Sequence, residues 1–313
     1  MTVAPDFQDI GQDAAMAGIV EFPQIVQDAM DDFADLFANE PQRRHFAEYL
    51  TGLLIAERKT VSGINREFAQ RGDQSCLNRF LTEVGWDIEA LNERRLDILQ
   101  EEPATRYSAQ GVIAIDNVLI DHEGYLIPDA SWMWDHADQR YKIAQDYLFA
   151  NYVCTSGKHY PLVFRRWCCK DLCECYEKSF FSHTDLCKQL IDWVCERGIP
   201  GDFTFDNYFT NAEILNYIQA KTLPDGRSRG YVGDLKFNRN LLSRGRTLHA
   251  EELAKTIATE LRKPVWRGKH KQWYFKTTVW VPGVNHKVKV VFLWNEQKDE
   301  ARKRGTKRGC STQ

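Results

Sequence analysis

Residues 111–120 read GVIAIDNVLI and residues 201–209 read GDFTFDNYF. Each holds an apolar, β-branched or aromatic run ending in Asp-Asn, which predicts a buried strand delivering an aspartate, Asp116 or Asp206, to its end. In an open α/β sheet, groups at strand ends project from the sheet edge into a shared crevice where sites tend to form. Two carboxylates meeting there repel each other unless a divalent cation lies between them, and Mg²⁺ held by one or two carboxylates suits phosphate chemistry. An aspartate that ends a strand serves equally well as a turn former or helix cap. The repeated context of the two acids is what favours a paired site.

Outward from these two stretches the pattern stays mixed. HEGYLI (122–127) reads as a hairpin return, and QDYLFANYVC (145–154) and YPLVFRRW (160–167) as two further strands. Ser182 to Arg197 reads as a helix with Leu186, Leu190, Ile191 and Val194 on one face and Gly198 just past its end. Asn211 caps a helix through Tyr217, and YVGDLKF (231–237) is a short strand. Strands first, then strand and helix alternating, imply an α/β fold with helices on a mixed sheet.

Upstream the period is helical. Residues 1–40 form an acidic, weakly amphipathic segment, and 41–103 an all-helical domain. Pro41 fits a first helical turn, Thr60 and Ser75 fit N-caps, and Asp87 caps a fourth helix. Short helices with tight turns resemble a helix-turn-helix module, and a helical domain without DNA contacts explains the same pattern. Residues 104–237 hold the α/β core, 238–295 a basic β-rich segment with KQWYFKTTVWVPG and HKVKVVFLW as a hairpin, and 296–313 a basic tail.

Composition bounds the function. At 313 residues with 43% hydrophobic and 27% charged side chains, the chain is neither disordered nor a short disulfide scaffold. No apolar run is long enough to span a membrane, and the N-terminus has no secretory pattern, so the expectation is a cytoplasmic protein whose nine cysteines are thiols. The net charge of −3 conceals a dipole: from residue 221 onward there are 22 Lys and Arg against 8 Asp and Glu, and before it 19 against 36. Such asymmetry points to a polyanionic partner for the C-terminal part, or to a solvated basic face.

The stretch AIDNVLIDHEGYLIPDASWMWDHADQRYKIAQDYLFANYVCTSGKHYPLVFRRW, followed by GIPGDFTFDNYFTNAEILNYI, resembles the first-acid and second-acid blocks of the DDE-type transposases of bacterial insertion sequences. The resemblance implies a ribonuclease H-like core preceded by a helical domain and followed by a β-rich insertion. It also implies Asp116 and Asp206 as catalytic, metal-binding acids and Mg²⁺ or Mn²⁺ as cofactor. The reaction implied is cleavage at element ends followed by strand transfer into target DNA, with a homodimer acting on the DNA. Members of the branch it resembles carry a third acid within Tyr-x2-Arg-x3-Glu-x6-Lys, and here no Tyr has Arg three residues later. The sequence therefore resembles a transposase shortened at its C-terminus, with Glu296, Glu300 and Asp234 as weak substitutes. A DNA-binding remnant that regulates without cutting, and a ribonuclease H-like nuclease with no role in transposition, are the alternatives.

Other constellations carry less. Lys263, Trp266, Arg267, Lys269, Lys271 and Trp273 interleave cations with aromatics, as suits phosphate contact and base stacking, although Trp at strand spacing also packs a hairpin face. Cys168, Cys169, Cys173 and Cys175 with His183 and Cys187 lack paired C-x2-C spacing, so buried or incidental thiols are favoured over zinc. His122, His136 and His159 are isolated.

Overall fold

In a computed structural model the described residues are 18–294 apart from 71, 125, 126 and 269. The chain divides into two compact units, Met1–Leu99 and Gln100–Gln313. In the first, the described helices are α1 (Gln24–Asp32), α2 (Glu40–Ile55), α3 (Val61–Arg66), α4 (Gln74–Thr82) and α5 (Ile88–Glu101), the last running just past the division. Asn39 caps α2 through the Gln42 N–H, with Pro41 in the first turn where its missing N–H costs nothing. Thr60 caps α3 through Gly63, and the Asp87 carboxylate accepts from the Ala90 N–H at 2.9 Å. The cap of α4 is Asp73, which accepts from the Ser75 N–H, so the expected cap at Ser75 lies two residues too far on. Phe37, Phe46, Ile64, Leu77 and Phe80 form the core. A Cβ at Gly52 would stand 2.3 Å from Ile64 Cγ2, so α2 and α3 approach only because that side chain is absent.

The second unit holds a six-stranded mixed sheet: β1 (Val112–Asp121), β2 (Ser131–Asp135), β3 (Arg140–Val153), β4 (His159–Trp167), β5 (Asp202–Phe205) and β6 (Tyr231–Gly233). The strand β3 is central to the antiparallel half; β1 lies on one side, and β2 then β4 on the other. β5 joins β1 in parallel and β6 joins β5 in parallel. This order is compatible with the ribonuclease H-like arrangement.

The described residues of the hairpin return expected at 122–127 form no strand, although the His122 N–H still bonds the Ile143 carbonyl, so the chain does not turn back there. It leaves the sheet after Asp121 and returns at Ser131, with Pro128 unable to donate a ladder bond and Asp129 at φ 61° in the left-handed region. Tyr125 and Leu126 of that stretch lie outside the described residues.

Between β4 and β5 come α6 (Lys170–Cys175) and α7 (His183–Glu196), and after β5 comes α8 (Ala212–Gln219). Ser182 and Asp185 form a reciprocal capping box that fixes the first turn of α7. Its Leu186, Leu190, Ile191 and Val194 are buried, as are Ile113, Ile115, Leu148, Phe203 and Phe205 of the sheet and Ile214, Leu215 and Ile218 of α8. At about 1.5–3 kcal/mol for each buried side chain, this apolar layer is what holds the sheet and its helices together.

A second sheet follows, built from β7 (Asn240–Ser243), β8 (Arg246–His249), β9 (Lys263–Arg267), β10 (His270–Trp280) and β11 (Lys287–Trp294), with α9 (Ala250–Thr256) after β8. Its β10–β11 turn is fastened to the first sheet. Asn216 of α8 donates to the Gly283 carbonyl and accepts from the Asn285 N–H, both at 2.9 Å, and Tyr231 and His286 share a 2.7 Å hydrogen bond.

Candidate active site

Parallel pairing of β1 with β5 sets Val112 against Asp202 and Ile115 against Phe205. Asp116 and Asp206 each follow the last matched pair, so they stand level at neighbouring strands about 4.8 Å apart. One glycine permits this close start. Gly201 has φ +116°, and a Cβ there would come within 2.5 Å of the Gly111 carbonyl oxygen. β1 continues past its acid, with Asp116 opposite Phe149 of β3, whereas β5 ends at its acid. Asp206 folds the chain into a turn, accepting from the Tyr208 N–H at Oδ1 (2.8 Å) while its carbonyl accepts from the Thr210 hydroxyl (2.8 Å).

Both carboxylates are exposed. Even so, the protein mass behind Asp116 raises its pKa above the usual carboxylate value, and the negative charge of Asp206 raises it further, against a lowering by the Asn117 N–H. Among the described residues neither acid forms an ion pair with Lys or Arg. A pair of unneutralised carboxylates that feel each other is a donor set fitted to a divalent cation, which would relieve the repulsion directly. Among the described residues no group of three His, Cys, Asp or Glu is arranged to hold a metal ion, so the set is these two acids.

Beneath them lies a layer that sequence reasoning missed. Successive strand residues face opposite sides, so Asn117, itself exposed, points away from Asp116 to the side that holds Ile113 and Ile115. There its amide donates to both oxygens of Asp146 (3.2 and 3.4 Å), and His183 Nε2 donates to Asp146 Oδ2 (2.8 Å). Asp146 is only 4% exposed. The His183 ring stacks on Trp167 at 4.9 Å and meets the edge of Tyr208 at 5.7 Å. Burial, then the charges of Asp146 and Asp206, raise the Tyr208 pKa and keep its phenol neutral. The available signal was an aspartate at an inward position of an otherwise apolar strand, QDYLFANYV; its partner lies 37 residues away in sequence.

The basic segment is distributed by strand pairing. Lys271 stands opposite Trp266 and Trp273 opposite Pro264, so Trp266, Lys271 and Trp273 share one face of the β9–β10 pair. Lys263, opposite Tyr274, belongs to the other face. Lys271 sits 4.5 Å from the Trp273 ring centre. Lys269 and the side chain of Arg267 lie outside the described residues, as do Glu296, Glu300 and the basic tail. On the Lys263 face, Lys276, Lys287 and Lys289 stand among exposed Trp280, Val291 and Leu293, a basic and apolar stripe that the sequence reading did not single out.

Asp234, exposed, follows Gly233, the partner of Phe205, and is therefore level with Asp206 one strand further on. Its carboxylate is on the wall of a cleft of about 1190 Å³ between β6, α9 and the β10–β11 hairpin. Of the cysteines named in the sequence, Cys173 and Cys187 are buried, and burial pushes the Cys187 thiol up to about 12. Cys168 is likewise raised to about 12 by burial, beside Cys173 and Asp129.

A family model described as DDE superfamily endonuclease matches residues 32–215, more than half of the chain and a span that contains both Asp116 and Asp206. Comparison with curated proteins found no match.

Proposed function

The chain belongs to the DDE superfamily of endonucleases, and on that footing we propose that it is the transposase of an insertion sequence, acting in the cytoplasm as a homodimer on DNA. Endonucleases of this superfamily act on DNA and generally use divalent metal ions. The observation that carries the reading is the level pair of Asp116, within β1, and Asp206, just past the end of the adjacent β5, both unneutralised. These two carboxylates would hold the cation, Mg²⁺ or Mn²⁺. When bound, it supplies Lewis acidity to a phosphodiester and stabilises the charge that develops on the departing oxygen. The chain itself holds the two acids in register and keeps Asp146 buried beneath them, and the proposed contacts to phosphates and bases are Lys263, Arg267, Lys269 and Lys271 with Trp266 and Trp273. The chemistry proposed is hydrolysis at the element end, then attack of the freed 3′-hydroxyl on target DNA.

A second reading has its own observation. The sequence contains no Tyr-x2-Arg-x3-Glu, and no third carboxylate joins the pair among the described residues. In that reading the protein occupies element ends without cutting them.

Binding and Mg²⁺-dependent cleavage measured on the same element-end DNA separate the two. Cleavage abolished by Asp116→Ala and by Asp206→Ala supports the enzyme, cleavage retained by either variant refutes the assignment, and salt-sensitive binding without any cleavage selects the second reading. Strand-transfer products distinguish a transposase from a nuclease with no role in transposition. Neutralising Lys263, Arg267, Lys269 and Lys271 together should flatten the salt dependence of binding by about 0.9 per lost phosphate contact and leave sequence preference intact.

A further inference from the structure

Each acid of the pair is followed closely by a residue tied to one buried carboxylate, directly in the case of Asn117 and through His183 in the case of Tyr208. Asn117, next to Asp116, donates its side-chain amide to Asp146, and His183, which also donates to Asp146 at Oδ2, lies against Tyr208, whose own N–H holds Asp206. The path from one acid to the other therefore runs Asp116, Asn117, Asp146, His183, Tyr208, Asp206. It passes beneath the sheet surface, through a group that is 4% exposed.

A carboxylate has no proton to give and can accept several, so a buried one is a fixed anchor for donors arriving from different elements. Here they arrive from β1 and from the first turn of α7, which its capping box holds still. Trp167 closes the far face of the imidazole. Removing either donor leaves a buried acid under-satisfied, and the element that carried the donor is then free to shift by the few tenths of an ångström that matter to a cation site.

We propose that Asp146 and His183 are positioning residues that tie the Asp116-Asn117 segment of β1 to the turn after Asp206 and so set the spacing of Asp116 and Asp206 for a divalent cation. The inference rests on the reading of those two acids as the metal-binding pair. Neither Asp146 nor His183 touches the cation; both act through Asn117 and Tyr208.

The test is Mn²⁺ binding to the full chain, without DNA, followed by calorimetry or by the loss of free-ion signal in electron paramagnetic resonance. His183→Ala and Asn117→Ala should each weaken Mn²⁺ binding by about 10- to 100-fold, the range seen when groups behind metal ligands are removed. The double variant should lose little more than either single one, because both act through Asp146. His183→Gln, whose amide can donate in place of Nε2, should recover most of the affinity, which a purely space-filling role would not predict. Circular dichroism shows which variants fold, and if His183→Ala does not, Asn117→Ala and His183→Gln decide. Wild-type Mn²⁺ affinity in folded His183→Ala and Asn117→Ala overturns the inference and leaves the metal pair standing. Binding unaffected by Asp116→Ala and Asp206→Ala overturns the metal pair itself, and this inference with it.

Discussion

The strand β1 carries one acidic cluster at its middle and another at its end, and the protein treats them in opposite ways. At the far end, Lys142 reaches Asp121 and Asp135 at 2.9 Å and Asp138 at 2.6 Å, so three carboxylates share one ammonium. The pKa of Asp135 is lowered to about 2, by Lys142 first and then by the Asp138 and Ala137 N–H groups, while that of Lys142 is raised. A few residues away along the same strand, Asp116 stands beside Asp206 without such a cation, and its pKa is raised instead. Where only the fold is at stake, the chain supplies the counter-charge itself. Where the chain leaves two acids uncompensated, folding is made slightly worse, and on the proposed reading the pair is a place that a cation from solution would fill.

The largest expected effect comes from filling that place. Mn²⁺ at a hundred times its dissociation constant should stabilise the second unit by about 2.7 kcal/mol, read as a rise in Tm, and the rise should vanish in Asp116→Asn with Asp206→Asn. An equal rise in the double variant would erase the contrast between the two clusters.

Next comes Lys142→Met, which leaves three aspartates facing one another. It should lower Tm at pH 7 by a smaller amount than the metal raises it, and should leave Mn²⁺ affinity unchanged. Because the folded pKa of Asp135 is depressed, its stabilisation is present above the unfolded value near 3.9 and is lost as pH falls toward about 2. The gap between wild type and Lys142→Met should therefore narrow over that window in acid melting curves.

The smallest effect has the opposite sign. Asp116 is raised in the folded state, so its cost is absent below the unfolded value and complete above the folded one. Asp116→Asn should slightly raise the metal-free Tm at pH 7, with the gain disappearing below about pH 3.9. A loss of stability at pH 7 would show that the acid is structural.

Much of this was legible in the sequence wherever a local rule met no competitor. Ser182 three residues before Asp185 announces the start of α7, and VIAID and FTFD announce two strands whose parallel register then makes their acids level. Legibility failed where two local options were both sound. Asp73 and Ser75 each carry a capping oxygen, and only the observed turn, with the Ser75 N–H aimed at Asp73, chooses between them. HEGYLI has strand composition, yet the chain resumes pairing only at SWMWD, after Pro128 and the left-handed Asp129. The Asp146 to His183 contact was illegible for a different reason. It joins β3 to α7 through tertiary packing, and neither residue has a neighbour in sequence that explains it.

The fastening of Asn216 to Gly283 and Asn285 has a mechanical meaning. Its helix, α8, begins six residues after Asp206 and carries Asn216 four residues further on, so about 6 Å of helix separates its start, next to the turn that carries the acid, from the point where the basic hairpin is fastened. A helix transmits push and pull along its axis with little compliance. On the proposed reading, in which lysines of the hairpin contact DNA phosphate, load taken up there would reach the segment that aims Asp206, so that grip and aim would not be adjusted independently.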